Sequence, residues 1–128
     1  MKKILVVDDE PAVLEYLALI AQSLDYEVLK AKDGNAAIRA FSEDNDIDAL
    51  ITDIKMPGMN GYQLAIALRE MRPELPILFI SGFFKEFETP PAILGEVSIQ
   101  FLSKPFNAQQ FGTALLLLFV SLTPDSNL

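Results

Sequence analysis

The 128-residue sequence contains no cysteine and no histidine. Without cysteine the chain can form no disulfide and offers no thiol nucleophile. Without histidine it has no imidazole base, and a zinc site, which draws on these two residue types, is not expected. Any chemistry of this chain must therefore rely on oxygen and amine groups.

Long apolar runs and an excess of positive charge are also lacking. The longest apolar run, Ala114 to Val120, is well short of the ~20 residues that span a bilayer. The amino terminus, MKKILVVDDE, is too short in its apolar part for a signal peptide. The net charge of −8 argues against sequence-independent nucleic-acid binding, which needs clustered Lys and Arg. We therefore expect a soluble, cytoplasmic protein that binds neither nucleic acid nor membrane.

The composition is that of a globular protein, with 51% hydrophobic and 22% charged residues. A chain of this length forms one domain most economically. We expect that domain to span residues 1–122 and to be followed by a polar tail, 123–128.

Short apolar runs alternate with helical patterns along the chain. Three continuous runs are typical of strands covered on both faces, and two more mixed runs of edge strands; these are 4–7, 49–52 and 77–80, then 26–31 and 98–103. Apolar residues recur at helical spacing between and after them, in stripes such as Val13, Leu17, Ile20 and Leu24, or Leu64, Leu68 and Met71. Five strands alternating with five helical segments predict a doubly wound α/β domain. In the fourth helical segment Pro90 and Pro91 cannot both lie inside a regular helix, so we expect that helix to be short, displaced or broken.

Polar side chains follow the predicted strands at the point where each one ends. In an open parallel sheet, ligands bind beyond the carboxyl ends of the strands, where the strand order reverses. Right-handed crossovers with the first strand in the centre would bring these side chains into one crevice. They are Asp8 and Asp9, Asp53, Ser81, and Lys104.

Three carboxylates in one crevice repel each other. At 4–5 Å and an effective dielectric constant of ~20, each pair of like charges costs on the order of 3–4 kcal/mol. Lys104 offsets part of this cost, and a divalent cation would offset more. Oxygen ligands without His or Cys favour Mg²⁺, or Mn²⁺, over zinc. A cation and an ammonium beside a carboxylate are well suited to phosphoryl transfer.

The three acids also have simpler interpretations. Asp8 and Asp9 could cap the helix that starts near Pro11, and Asp53 could be a turn residue. However, the acids and Lys104 all fall at the ends of predicted strands, and this common position favours a functional site.

The chain resembles the receiver domains of bacterial two-component response regulators over essentially its whole length. The resemblance depends on four motifs in order: ILVVDDE, DIKMPGMNG after the third strand, Ser81 at the end of ILFIS, and KPF at 104–106. It implies a flavodoxin-like (βα)5 sandwich with a five-stranded parallel sheet in the order 2-1-3-4-5.

The resemblance also implies roles for single residues. Asp53 would be phosphorylated by a histidine kinase or a histidine phosphotransfer protein. Mg²⁺ would be bound by Asp8, Asp9, Asp53 and the backbone carbonyl of Lys55. Ser81 and Lys104 would contact the phosphoryl group, and Ser81 would report its arrival to Phe101, the aromatic switch position. Pro57 and Gly61 would shape the loop that follows Asp53.

Two departures from the family pattern stand out. The segment that should form the fourth helix contains Phe83, Phe84 and Phe87 before the proline pair, which puts the usual output surface in question. Lys55 and Phe83 occupy the two positions that flank the phosphoryl group in the family. A bulky Phe83 would exclude the attacking water, so we predict a long-lived acyl phosphate.

Competing functions are weaker. An aspartate-nucleophile phosphohydrolase commonly has a general acid two residues after the nucleophile, where this chain has Lys55. A nucleotide-binding domain would need a glycine-rich phosphate loop, and no G-x-G-x-x-G or P-loop sequence is present. We therefore expect no enzymatic activity apart from the protein's own phosphorylation and dephosphorylation.

The last helix carries a second apolar stripe, Leu116, Leu117 and Val120, off its core face. An all-round apolar helix is usually covered. Either the tail buries this stripe, or it is a surface for a homodimer or another protein. Whether the domain acts alone on a downstream target or is fused to an output domain is left open by the sequence.

Overall fold

The computed structural model describes residues 1–82 and 90–120. Within these ranges five strands alternate with four α-helices and one 3-10 turn. The strands are β1 (Lys3–Val7), β2 (Glu27–Ala31), β3 (Ala49–Asp53), β4 (Ile77–Ser81) and β5 (Ile99–Ser103). The α-helices are α1 (Pro11–Ser23), α2 (Gly34–Glu43), α3 (Gly61–Met71) and α4 (Ala108–Phe119).

All five strands are parallel, in the order β2-β1-β3-β4-β5. The predicted flavodoxin-like sheet is thus confirmed. Every residue of β3 and β4 is buried, as their continuous apolar runs predict. The edge strands β2 and β5 are partly exposed, in agreement with their mixed sequences.

Two hydrophobic cores lie on opposite faces of the sheet. Because successive side chains of a strand point to opposite faces, Leu5 and Val7 pack under α2 and α3, whereas Ile4 and Val6 pack under α1 and α4. The sheet is therefore covered on both sides, and its carboxyl edge is where the chain can present polar groups.

The helices begin where the sequence provides a start signal. Pro11 is at the first position of α1, where its missing N–H costs nothing. Asn60 begins α3 with a capping box in which its side chain accepts from the Gln63 N–H (2.9 Å) and its own N–H donates to the Gln63 side chain (2.9 Å). Two stripe residues are exposed instead of buried, Leu24 (44%) and Met71 (48%), because each lies where its helix ends.

The connection between β4 and β5 contains a single 3-10 turn, Ala92–Leu94, in its described part. This turn follows the proline pair, and the Arg69 side chain of α3 donates to the Leu94 carbonyl (2.7 Å). Residues 83–89, where most of the predicted fourth helix would lie, are outside the described residues. No helix within the described ranges is long and apolar enough to cross a membrane.

Candidate functional site

Asp8 and Asp53 lie side by side at the carboxyl edge of the sheet. Asp53 is the last residue of β3, and Asp8 directly follows β1, the strand beside it. The register pairs Val7 with Thr52, so the two aspartates occupy the next position of each strand. One carboxylate oxygen from each of Asp8, Asp9 and Asp53 lies within 4.8 Å of the others. The structure therefore brings together the three acids that the sequence singles out.

Lys104 reaches the same crevice from the far side. It directly follows β5, and its backbone N–H donates to the carbonyl oxygen of Ser81 (2.8 Å). Its Nζ lies 3.7 Å from Oδ1 of Asp53 and 3.9 Å from Oδ2 of Asp8. One ammonium thus faces two carboxylates, which leaves the crevice negatively charged.

Asp8 has a buried oxygen for which the described residues provide no hydrogen-bond donor. Its side chain is fully buried, and Oδ1 accepts from the backbone N–H of Glu10 (2.9 Å). No residue in the described ranges donates a hydrogen bond to Oδ2. The Lys104 ammonium, 3.9 Å from Oδ2, is beyond hydrogen-bond distance, so this buried oxygen costs free energy unless a closer cation or water meets it. A hard divalent cation with oxygen ligands fits this set of three aspartates.

The interpretation of Asp8 as a helix cap is wrong. The residue at the N-cap of α1 is Glu10, which makes no side-chain capping bond, and Asp8 bonds to the N–H of Glu10 instead of a first-turn N–H. The beginning of α2 provides the contrast, because there Asp33 accepts from the N–H of Ala36 (2.8 Å). Asp8 is thus directed into the crevice and not toward the helix.

The electrostatics of the crevice penalise a further negative charge. Burial raises the pKa of Asp53 to about 6; Lys104 opposes the shift, while the charges of Asp8 and Asp9 add to it. Burial also raises the pKa of Asp8, against the hydrogen bond from Glu10 and the charge of Lys104. Both shifts have the sign expected for buried carboxyl groups, because burial disfavours the charged form.

The loop after Asp53 turns back tightly against its own strand. The N–H of Gly61 donates to the carbonyl of Ile54 (2.7 Å), and an ideal Cβ on Gly61 would lie 2.3 Å from the carbonyl oxygen of Asp53. Gly58, at the exposed tip of the loop, has a positive φ of 75°, a conformation that glycine adopts without strain. Pro57 beside it is exposed. The sharp turn therefore depends on Gly61 at one end and Gly58 at the tip.

Three further residues of the predicted site lie around the crevice. Ser81 is buried at the end of β4, directly after Ile80, the residue that pairs with Asp53. Lys55 is exposed, two residues beyond Asp53. Phe101 lies in β5 and is 40% exposed. Their functional roles stay predictions, and Phe83 is outside the described residues.

Thr52 is a supporting residue that the sequence did not reveal. It is fully buried, and its Oγ1 donates to the carbonyl oxygen of Asp53 (2.9 Å). The available signal was a hydroxyl residue directly before Asp53. Threonine is common in strands, so only the hydrogen bond distinguishes this one.

The sequence matches known signalling proteins. The family model for the response regulator receiver domain matches residues 4–116. The response regulator GtcR of Aneurinibacillus migulanus is 34% identical over 106 residues, which are 83% of this chain and 43% of GtcR. SaeR of Staphylococcus aureus is 29% identical over 111 residues, 86% of this chain and 47% of SaeR. The chain thus spans less than half the length of these relatives.

Solved structures share the fold over nearly the whole chain. The chemotaxis protein CheY4 of Vibrio cholerae superposes with a TM-score of 0.83 at 28% identity, covering 93% of this chain and 99% of CheY4. The response regulator TrrA of Thermotoga maritima, in complex with Mg²⁺-BeF, gives a TM-score of 0.82 at 29% identity, covering 93% of this chain and 100% of TrrA. The sequence match, the sheet order and these superpositions agree. The chain belongs to the family of response regulator receiver domains, which are signalling proteins.

Proposed function

We propose that Asp53 accepts a phosphoryl group from a histidine kinase or a histidine phosphotransfer protein, and that its phosphorylation switches contacts with other proteins. The observation that carries this proposal is the position of the Asp53 carboxylate. It stands at an open strand end, 3.7 Å from the Lys104 ammonium and beside two further carboxylates. The 128 residues contain no histidine, so the donor imidazole belongs to another chain or another domain. We expect the transfer to take place in the cytoplasm.

We propose that Asp8, Asp9, Asp53 and the backbone carbonyl of Lys55 hold Mg²⁺, with Mn²⁺ as the alternative. Among the described residues no donor hydrogen-bonds to the buried Oδ2 of Asp8, which supports a cation here, as does the clustering of the three acids. The structural neighbour TrrA is described in complex with Mg²⁺-BeF. When bound, the cation would neutralise negative charge on the oxygens of the transferring phosphoryl group.

Several side chains of the protein have separate roles in the transfer step. An oxygen of Asp53 forms the new bond to phosphorus while the bond between phosphorus and the donor imidazole nitrogen breaks, and that nitrogen keeps the electron pair. The Lys104 ammonium, already within 4 Å of Asp53, pairs with a phosphoryl oxygen. The Ser81 hydroxyl donates to another, and the approach of Ser81 to the phosphoryl group permits the Phe101 ring to change position.

In loss of the phosphoryl group, water is the acceptor. The water oxygen bonds to phosphorus while the bond between phosphorus and the Asp53 oxygen breaks; that oxygen keeps the electron pair, so the carboxylate is regained, and inorganic phosphate leaves with the protons of the water. We propose that these two self-directed reactions are the protein's whole catalytic repertoire. The phosphohydrolase alternative is not favoured, because the family match is to signalling proteins and Lys55 occupies the place of the general acid.

We also propose that the receiver domain spans 1–122, with 123–128 as a polar tail, and that it acts on a downstream protein or a fused output domain. The fold extends at least to the end of α4 at Phe119, and residues 121–128 are outside the described residues. This extent agrees with the family match over 4–116.

A homodimer through the last helix is a second part of the proposal. Leu116, Leu117 and Val120 are 60%, 43% and 43% exposed, and α4 contains no charged residue. In a chain with a net charge of −8, a charge-free apolar face is where a second copy can approach with least repulsion.

Phosphorylation with a small donor tests the central proposal. Incubation with acetyl phosphate and Mg²⁺ should add one phosphoryl group, measured by intact mass, and Asp53→Ala should abolish the addition. Asp46→Asn, which removes an exposed acid outside the site, is the matched control and should be phosphorylated like wild type. Phosphorylation that persists in Asp53→Ala, or steady turnover of phosphomonoesters, would contradict the proposal.

A further inference from the structure

Three aromatic rings form a continuous contact from α3 to the outer strand of the sheet. The Tyr62 and Phe79 rings form a T-shaped contact, with the centroids 4.9 Å apart and the planes at 67°. Phe79 in turn stacks on Phe101, at 5.4 Å and 26°. Phe79 is fully buried and Tyr62 nearly so, whereas Phe101 is 40% exposed. One buried ring thus joins the start of a helix to a ring at the protein surface.

The helix end of this contact is directly behind the phosphoacceptor. Tyr62 follows Gly61, whose position leaves no room for a methyl group against the Asp53 carbonyl. The Gly61 N–H also donates to the carbonyl of Ile54, the residue after Asp53. A displacement of the Asp53 backbone must therefore displace the first turn of α3, because close-packed interiors transmit such shifts.

We infer that Tyr62 and Phe79 are positioning residues that couple occupancy of the Asp53 site to the position of the Phe101 ring. This inference rests on the proposed function of Asp53 and adds a route that does not pass through Ser81. An aromatic pair shifts an equilibrium between two ring positions by roughly two- to tenfold. Coupling is reciprocal, so the same contacts also adjust the affinity of the site for a phosphoryl mimic.

The sequence provides a clean reporter for this coupling. The chain contains no tryptophan, so Phe101→Trp introduces a single indole whose fluorescence can be excited without the tyrosines. Beryllofluoride with Mg²⁺ is the probe, and fluorine NMR of the bound fluoride measures occupancy of the site independently of the indole.

Two variants in the reporter background remove the ring contacts, and three serve as controls. Tyr62→Leu and Phe79→Leu keep apolar bulk but lose the aromatic stack. Tyr62→Phe keeps the ring and removes only the hydroxyl. Tyr26→Leu and Phe111→Leu change aromatic residues on the opposite face of the sheet, where Tyr26 stacks on Phe119 and Phe111 contacts Phe106. Thermal unfolding identifies any variant that fails to fold. If Phe79→Leu, at a fully buried position, does not fold, Tyr62→Leu still tests the inference.

We expect Tyr62→Leu and Phe79→Leu to reduce the fluorescence change about twofold or more at full site occupancy, and to shift beryllofluoride affinity by a similar factor. Tyr62→Phe, Tyr26→Leu and Phe111→Leu should respond like the reporter alone. An undiminished change in folded Tyr62→Leu would overturn the inference, as would an equal loss in Tyr62→Phe. If fluorine NMR shows no bound fluoride even in the reporter, the proposed function of Asp53 fails, and the coupling fails with it.

Discussion

The α-carbon of Gly61 is so close to Asp53 that an ideal Cβ would lie 2.3 Å from the Asp53 carbonyl oxygen and 2.9 Å from the Cα of Ile54. Both neighbours are backbone atoms, which cannot move aside as the end of a side chain can. The beginning of α3 and the end of β3 are therefore packed as one unit. Asp53 is therefore held from behind by a helix, while its carboxylate faces Lys104 and the other acids of the crevice.

Gly61→Ala should lower both stability and phosphorylation. Alanine is ordinarily better than glycine in a helix by about 1 kcal/mol, but the clash with backbone reverses the sign, and we expect a loss of about 1–3 kcal/mol. Because the clash pushes on Asp53 itself, the rate of phosphorylation by acetyl phosphate should also fall.

Gly58→Ala is the matched control for this clash. Its positive φ of 75° makes alanine unfavourable by about 1 kcal/mol, yet an added Cβ there has no neighbour within 4 Å among the described residues. Gly58→Ala should therefore lose stability and keep its phosphorylation rate. Equal phosphorylation rates in the two variants would count against the packing argument.

The raised pKa of Asp53 predicts a specific pH dependence of stability. The folded pKa is about 6, above the ordinary value of about 3.9. Between these values the unfolded chain has lost a proton that the native state keeps, so rising pH removes stability until the folded pKa is passed. Without metal, the free energy of unfolding of Asp53→Asn should therefore exceed that of wild type at pH 7 by on the order of 2–3 kcal/mol. Below about pH 4 the two free energies should be equal. Urea unfolding in the presence of a chelator measures the free energies of both proteins. A difference between them that does not change with pH would rule out titration of Asp53 as its cause.

Mg²⁺ should stabilise the protein through Asp8. At ten times its dissociation constant, a ligand that binds only the native state adds about 1.4 kcal/mol. In thermal unfolding, Mg²⁺ should therefore raise the midpoint temperature of wild type, and chelation should reverse this rise. Asp8→Asn removes the negative charge of this carboxylate and should lose the response, whereas Asp46→Asn should keep it. A full Mg²⁺ response in Asp8→Asn would place the cation elsewhere.

The exposed face of α4 should control self-association. If Leu116 and its neighbours form the dimer surface, Leu116→Gln should weaken the dimer about tenfold or more. Light scattering with and without beryllofluoride measures the mass. Leu19→Gln, a change of an equally exposed leucine on α1 (57% against 60%), should have no effect. Wild type that stays a monomer in both conditions would remove the dimer proposal.

Phe83→Ala should shorten the lifetime of the acyl phosphate. The prediction depends on the bulk of this side chain at a position that flanks the phosphoryl group in the family. Decay of the phosphorylated mass after removal of the donor measures it. Ile93→Ala, at an exposed position after the proline pair, provides the comparison. Rapid loss in wild type that Phe83→Ala leaves unchanged would show that the ring does not protect the bond.

The sequence by itself determined the sheet and the location of its site. Apolar runs without polar interruption can be stable only when both faces are covered, so β3 and β4 could be identified as inner strands. Acids at the ends of such strands must reach the carboxyl edge, whatever the details of packing. This is why the sequence alone assigns Asp8 and Asp53, and likewise Lys104 after the fifth strand, to one crevice.

Only the tertiary structure decided which atoms meet inside that crevice. The buried Asp8 oxygen without a hydrogen-bond donor, the Thr52 hydrogen bond and the approach of Gly61 to Asp53 all depend on distances of a few ångströms that hydrophobic patterning does not specify. The contacts of Tyr62 and of Phe101 with Phe79 likewise follow from strand register and helix placement. Hydrophobic periodicity specifies which face of an element is buried, but the particular neighbour is set by packing the whole domain at once.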